Sequence, residues 1–246
     1  MNTENEQDGP IEYSMARHPF RTSIRLLANL ALAFIAISTT AIVTLRYVDP
    51  PTSAFMLIAR ATDGAVAYDW RPLELISENL AMAAIAAEDQ KFPRHHGFDL
   101  EAIEDAVAGN REGGRVRGGS TISQQVAKNL FLWSGKTYFR KGLEAFLTTV
   151  LEGFWSKRRI LEIYLNIARF GPHVFGAEAA SMRYFAKHAA DLDADEAALL
   201  AAVLPNPIER RVDDPSESVR ARQRWILQQV RQLGGPSYLI KLDERD

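Results

Sequence analysis

The sequence predicts an all-α domain carried behind one membrane-crossing helix. Three observations lead there. Residues 26–45 contain no charged side chain. From Pro72 onward apolar residues recur at helical spacing, punctuated by Ser, Thr, Asp and Pro at starts and Gly or Pro at stops. No segment alternates apolar and polar residues long enough to read as a strand, and only a short extended piece near residues 65–68 is expected. The chain has 246 residues, 47% of them hydrophobic, which allows one globular domain once the N-terminus is set aside. A net charge of -2 points to no nucleic-acid partner. The lack of cysteine excludes disulfides, a Cys nucleophile and Cys-type zinc sites.

Residues 1–25 read as a polar cytoplasmic tail. Residues 26–45 supply about twenty positions, enough to cross a bilayer as a helix. Arg17, Arg21 and Arg25 precede the run and Arg46 closes it. A cleaved signal peptide is the competing reading, but the apolar run continues past the poor cleavage candidate Thr39-Thr40-Ala41. Positive charge is heavier before the span, so the N-terminus is expected in the cytoplasm and the domain on the periplasmic side of the inner membrane. Residues 46–71, with Pro50-Pro51, read as a linker that also begins the domain, and residues 72–246 as the domain itself.

Within it, Pro72 suits the first turn of a helix running to about Lys91. Asp99 caps a second, ending near Gly109. The Gly-rich stretch 113–119 is a loop. Ser120 caps a third helix to about Leu132, Thr137 a fourth and Ser156 a fifth. Another covers about residues 174–186. Asp193 and Glu196 have capping-box spacing before a helix that Pro205 and Pro207 end. Pro215-Ser216 opens the last, closed by Gly234-Gly235.

Two glutamates stand out. Glu88 comes off an Ala-rich apolar helix into the turn Pro93-Arg94-His95-His96-Gly97, where a carboxylate can serve as a general acid or base. Glu144 shares a helix face with Arg140 and Lys141, four and three residues before it. A solvated surface ion pair is the plain reading of that spacing. Between residues 113 and 160, however, Arg and Lys far outnumber the only two acids, Glu144 and Glu152. Such a patch suits phosphate or anionic lipid, or is an ordinary basic face. Ser120, Gln124 and Gln125 follow a double glycine, which fits an anionic or sugar ligand at a helix N-terminus, or simply a capped amphipathic helix. His95 and His96 have no second cluster at metal-ligand spacing. A histidine hydrogen-bonded in the core near Glu88 explains them better.

Taken together these stretches resemble the peptidoglycan glycosyltransferases of glycosyltransferase family 51, above all the monofunctional membrane-anchored ones. Glu88-Asp89-Gln90-Lys91-Phe92 with His95, His96, Gly97 and Asp99 looks like the first signature. Residues 118–129 look like the second, Arg140-Lys141 with Glu144 like the third and residues 157–166 like the fourth. Tyr184-Phe185, residues 196–201 and Leu204-Pro205-Asn206-Pro207 look like the last. Five motifs in the family's order make the resemblance specific over residues 73–207.

The resemblance implies a lysozyme-like helical lobe with a small membrane-facing jaw lobe. It also implies polymerisation of lipid II into β-1,4-linked glycan strands. On this reading Glu88 is the base on the acceptor's 4-hydroxyl and Glu144 a second carboxylate near the donor diphosphate. Ser120, Gln124, Gln125, Lys128, Lys136, Arg140 and Lys141 bind substrate. No cofactor is required. A divalent cation, Mg or Mn, is compatible with the chemistry, but no dedicated protein metal site is expected, and Asp89 is at most a candidate ligand. The implied partners are lipid II, the growing strand, the bilayer and other cell-wall synthesis or division proteins. Ser123 stands where Thr is common, and Arg169 where monofunctional relatives often have an acid. The runner-up reading is a lytic transglycosylase or muramidase on the same lobe, which a second carboxylate flanked by two cations disfavours. A third is a catalytically dead membrane scaffold.

Overall fold

The computed structural model describes residues 19–102, 104, 119–135 and 137–243. The chain divides into two compact units, residues 1–40 and 41–246. The described part of the first is a single helix, α1 (Pro19–Leu45), whose last turn belongs to the second unit. Ser23–Leu45 is 23 residues long, with a length and composition compatible with a single-pass membrane anchor. Leu26, Leu27, Leu30 and Leu32 are all exposed along it.

The second unit begins with the end of α1. Ile42 is fully buried, and its carbonyl accepts the Trp155 indole N–H at 2.7 Å. Arg159 closes the helix: its guanidinium donates to the carbonyls of Leu45 (2.9 Å) and Val48 (3.0 Å) and pairs with Asp49 and Glu162. Leu45 is the last residue of α1, so Arg159 satisfies a carbonyl that the helix end leaves unpaired. The expected linker contains a helix of its own, α2 (Ala54–Asp63), capped by Ser53, which accepts from the Met56 N–H. Met56 and Ala59 are its buried side. The short extended piece expected near residues 65–68 is found as β1 (Ala67–Tyr68).

Pro72 does not start a long helix. A single 3-10 turn, Leu73–Leu75, leads into extended backbone at Ile76. α3 (Glu78–Glu88) then starts at the Ser77 cap, whose hydroxyl also donates to the Leu192 carbonyl at 2.7 Å. Every residue from Leu80 to Ala86 is buried. A helix apolar on all sides belongs at the centre of a domain. Here it packs against α8 (Ala194–Val203), which is equally apolar, and α9 (Glu217–Leu233). The second packed group is α4 (Ile122–Phe131), α5 (Tyr138–Phe154) and α6 (Lys157–Ile167), with α4 against the other two. The Asp99 cap is present, accepting from the Ala102 N–H at 3.0 Å. The predicted end of that helix and the Gly-rich loop up to Gly118 lie outside the described residues.

The caps at Thr137, Ser156, Asp193 and Ser216 are borne out, as is the closure of α9 by Gly234 in the left-handed conformation. A hairpin was also not expected. β2 (Arg169–Gly171) and β3 (Val174–Phe175) form a hairpin, and β1 joins it to give a sheet ordered β1-β3-β2. β1 runs parallel to β3 with Ala67 opposite Val174, and β2 runs antiparallel to it. Strands of two or three residues are too short to show alternation. The hairpin also displaces the start of the helix predicted from residue 174, which is α7 (Ala177–Phe185).

Gly176 joins β3 to α7 at φ +86, and a Cβ there would lie 2.6 Å from the Asn166 carbonyl oxygen. Both the positive φ and the backbone clash oppose any side chain. Gly176→Ala is expected to lose about 2–4 kcal/mol of stability, read as a lower urea midpoint. A change under about 0.5 kcal/mol, the range of ordinary surface substitutions, would show that the strand-to-helix joint yields freely.

Candidate active site

Glu88 is the last residue of α3. Its Oε2 accepts from Gln125 Nε2 at 2.9 Å and its Oε1 from Arg222 Nη2 at 3.3 Å. The side chain is 13% exposed. Burial pushes its carboxyl above the ordinary range, while Gln125, Arg222 and Lys128 oppose that rise. Gln125 reaches it from α4, and from the same helix Gln125, Lys128 and Asn129 line a cleft of ≈ 370 Å³. Tyr164 and Pro205 close other sides. Burial lowers the Lys128 ammonium, whereas Glu144 and Glu88 both act to raise it. Lys128 is therefore a cation within electrostatic reach of both carboxylates.

The second carboxylate is not a surface group. Glu144 is 3% exposed. It accepts from Arg140 Nη1 at 2.7 Å and from Lys141 Nζ at 2.5 Å. Arg140 is buried too, and its Nε donates to the Gly135 carbonyl at 2.6 Å. Helical spacing put the three side chains on one face. The first turn of α5 is held by Thr137, whose hydroxyl accepts from the Arg140 N–H, and this orients the pair. Lys141 remains half exposed.

Neighbouring residues tie the end of α3 and the turn after it to the start of α4. Asp89 is buried. Its carboxylate meets His95 Nε2 at 2.9 Å and accepts the Ile122 N–H at 2.9 Å. It thus satisfies a free amide at the start of α4. His95 pairs with Asp89, next to Glu88, rather than with Glu88 itself. The Thr121 hydroxyl donates to the Gly97 carbonyl at 2.7 Å. Both Asp89 oxygens are engaged, and the described residues hold no group of three His, Cys, Asp or Glu side chains that could bind a metal.

The predicted substrate-binding residues fall into three groups. Gln125, Lys128, Arg140 and Lys141 surround the two carboxylates. Gln124 has a different task. It is buried, and its carbonyl accepts the Thr121 N–H at 3.0 Å to complete a capping box. The cap of α4 is Thr121, and Ser120 is an exposed residue just before it. Either hydroxyl can cap, but only Thr121 has Gln three residues on to close the box. Lys136 lies outside the described residues.

A family model described as transglycosylase matches residues 56–231. The chain belongs to the transglycosylase family. Among its relatives, a biosynthetic peptidoglycan transglycosylase of Pseudomonas putida is 50% identical over 228 residues, covering 90% of this chain and 97% of its own. One of Citrobacter koseri is 51% identical over 231 residues, covering 91% and 96%. One of Shewanella oneidensis is 51% identical over 212 residues, covering 85% and 91%.

In this transglycosylase two residues around Glu88 were not anticipated. Arg222 comes from α9, beyond the last signature at Pro207. Arg210, which follows α8, is held below its ordinary range by burial and by Arg222, while Glu88 acts in the other direction. Helical spacing sets Arg222 on the side of α9 that buries Val219 and Ile226, away from exposed Arg220 and Arg224, but nothing local names Glu88 as its partner. Arg169, at the unusual position, has its Nε bonded to the Gly171 carbonyl at 2.9 Å and its guanidinium 5.4 Å from the Phe175 ring centre. Its charge supports the hairpin at the edge of the cleft.

Proposed function

We propose that this transglycosylase is an inverting peptidoglycan glycosyltransferase. It polymerises lipid II into β-1,4-linked glycan and releases polyprenyl diphosphate. The observation that carries the reading is Glu88. It is a largely enclosed carboxylate at a helix end, hydrogen-bonded on both oxygens, beside a cleft whose Lys128 also feels the charge of Glu144. In the reaction the acceptor's 4-hydroxyl oxygen attacks the anomeric carbon of the donor. Glu88 takes the hydroxyl proton as the new C–O bond forms. The bond from the anomeric carbon to the diphosphate breaks, and direct displacement inverts that carbon. Negative charge gathers on the leaving diphosphate, where Lys128, Arg140 and Lys141 stabilise it. A raised carboxyl pKa suits a base that must release as well as accept a proton near neutral pH.

No step requires a metal. A divalent cation, if bound, would be held chiefly by the substrate's diphosphate and would help neutralise the leaving group, because Asp89 is already engaged. The N-terminal helix fits an anchor in the inner membrane with the domain on the periplasmic side, where the lipid-linked substrate resides. Contacts with other wall-synthesis proteins belong to the same proposal, and co-purification after crosslinking in cells would test them. The relatives do not favour the lytic alternative.

The full chain in detergent is expected to convert lipid II to polymer. A chelator should lower that rate without abolishing it. Intact sacculi should release no soluble muropeptides. Release of muropeptides with lipid II left unconsumed would replace this function with a hydrolytic one, and complete loss of turnover with chelator would restore a required metal.

A further inference from the structure

We infer that Arg222 is the positioning residue of the catalytic base, fixing both the backbone and the carboxylate of the helix end that presents Glu88. The inference rests on Glu88 being the base. One nitrogen of Arg222, Nη2, donates to the Ala87 carbonyl at 3.1 Å and to Glu88 Oε1 at 3.3 Å. The Ala87 carbonyl is among the last four of α3, which no intrahelical N–H can satisfy. A cation is favoured at that end of the helix. The same contact therefore seals α3 and sets the rotation of its final side chain. Gln125 holds the other oxygen. The carboxylate is gripped from α4 on one side and from α9 on the other.

The surroundings indicate why a guanidinium is needed. The groups facing Glu88 are Gln125 and Lys128 from α4, the buried phenol of Tyr164 from α6, Arg222 from α9 and Arg210 from the segment after α8. Asp89, the adjacent acid, is engaged with His95 and the Ile122 amide. Of the cations, only Arg222 makes a hydrogen bond to Glu88 among the described residues. Its Nε is buried and has no partner among them. Folding rarely leaves such a donor unmet. The guanidinium also lies 5.7 Å from the Trp225 ring centre, one turn on in α9. Its position thus depends on a helix that contributes none of the signature residues.

The test uses Arg222→Gln and Arg222→Lys, both long enough to fill the space. Lipid II turnover by the full chain in detergent is followed across pH, together with the melting temperature. Removing the positive charge makes ionised Glu88 less favourable. The acidic limb of the rate should therefore move to higher pH, by about one unit for a close opposite charge. Arg222→Lys should keep the limb near its original position, with a lower plateau because an ammonium lacks the guanidinium's fixed planar fork. A limb unmoved in Arg222→Gln, with the rate lowered equally at every pH, would overturn the inference. So would Arg222→Lys behaving like Arg222→Gln. Failure of the underlying reading looks different: Glu88→Gln would then still polymerise, whatever Arg222 does.

Discussion

Glu88→Gln is expected to lower lipid II polymerisation by about a thousandfold, within the usual contribution of a positioned general base. The amide is nearly isosteric: its single oxygen can accept from Arg222, and Gln125 can turn its own amide so that its oxygen accepts the new N–H, so the melting temperature should change little. Rate and stability together isolate the proton transfer from the packing around it. A variant polymerising within tenfold of the natural protein would remove Glu88 from the chemistry. The pH dependence follows from the same residue. Burial raises its carboxyl, so the rate should fall with decreasing pH from above the ordinary carboxylate range. The sign for stability is the reverse of a salt-bridged acid. The folded chain binds this proton more tightly than the unfolded chain does. Glu88 therefore favours the fold at low pH and costs stability as pH rises through its folded value.

Arg140→Ala should have the second large effect, this time on the fold. It leaves Glu144 buried with only half-exposed Lys141 to balance it. Breaking a buried pair by removing one partner costs about 3–5 kcal/mol. For a domain of this size that lowers the melting temperature by roughly 6–20 °C. Lys141→Ala is the control. It removes an exposed partner and should cost less than about 1 kcal/mol. Equal losses from the two substitutions would mean that Arg140 and Lys141 hold Glu144 equivalently and that burial does not decide between them. Turnover measured on both variants well below their melting temperatures would then report what each cation gives to the departing diphosphate.

Much of the helical framework was legible because its punctuation is local. Thr137, Ser156, Asp193 and Ser216 each cap the helix that follows through bonds spanning three residues, and such spacings survive in a one-dimensional reading. The Glu144 triad was legible for the same reason. Its burial was not, since that depends on what α4 and α6 pack against α5. The hairpin of β2 and β3 escaped because its pairing partners are two or three residues long and its third strand is a hundred residues away. Ser120 and Thr121 differ only in which one has a glutamine at the right distance. Gln124 was read as a ligand contact although its carbonyl completes that cap. Arg222 shows the limit most plainly: it lies 134 positions from Glu88 in the chain, and no local pattern announces a contact made through the tertiary fold.

The end of α1 is fastened to the globular unit by the Trp155 indole and the Arg159 guanidinium, with Ile42 in the core. Residues 41–49 are thus part of the enzyme and not a removable leash. A fragment trimmed to begin at residue 50 would leave an indole N–H and a guanidinium with no carbonyls to meet, and a hole where Ile42 had been. One beginning at residue 41 keeps them.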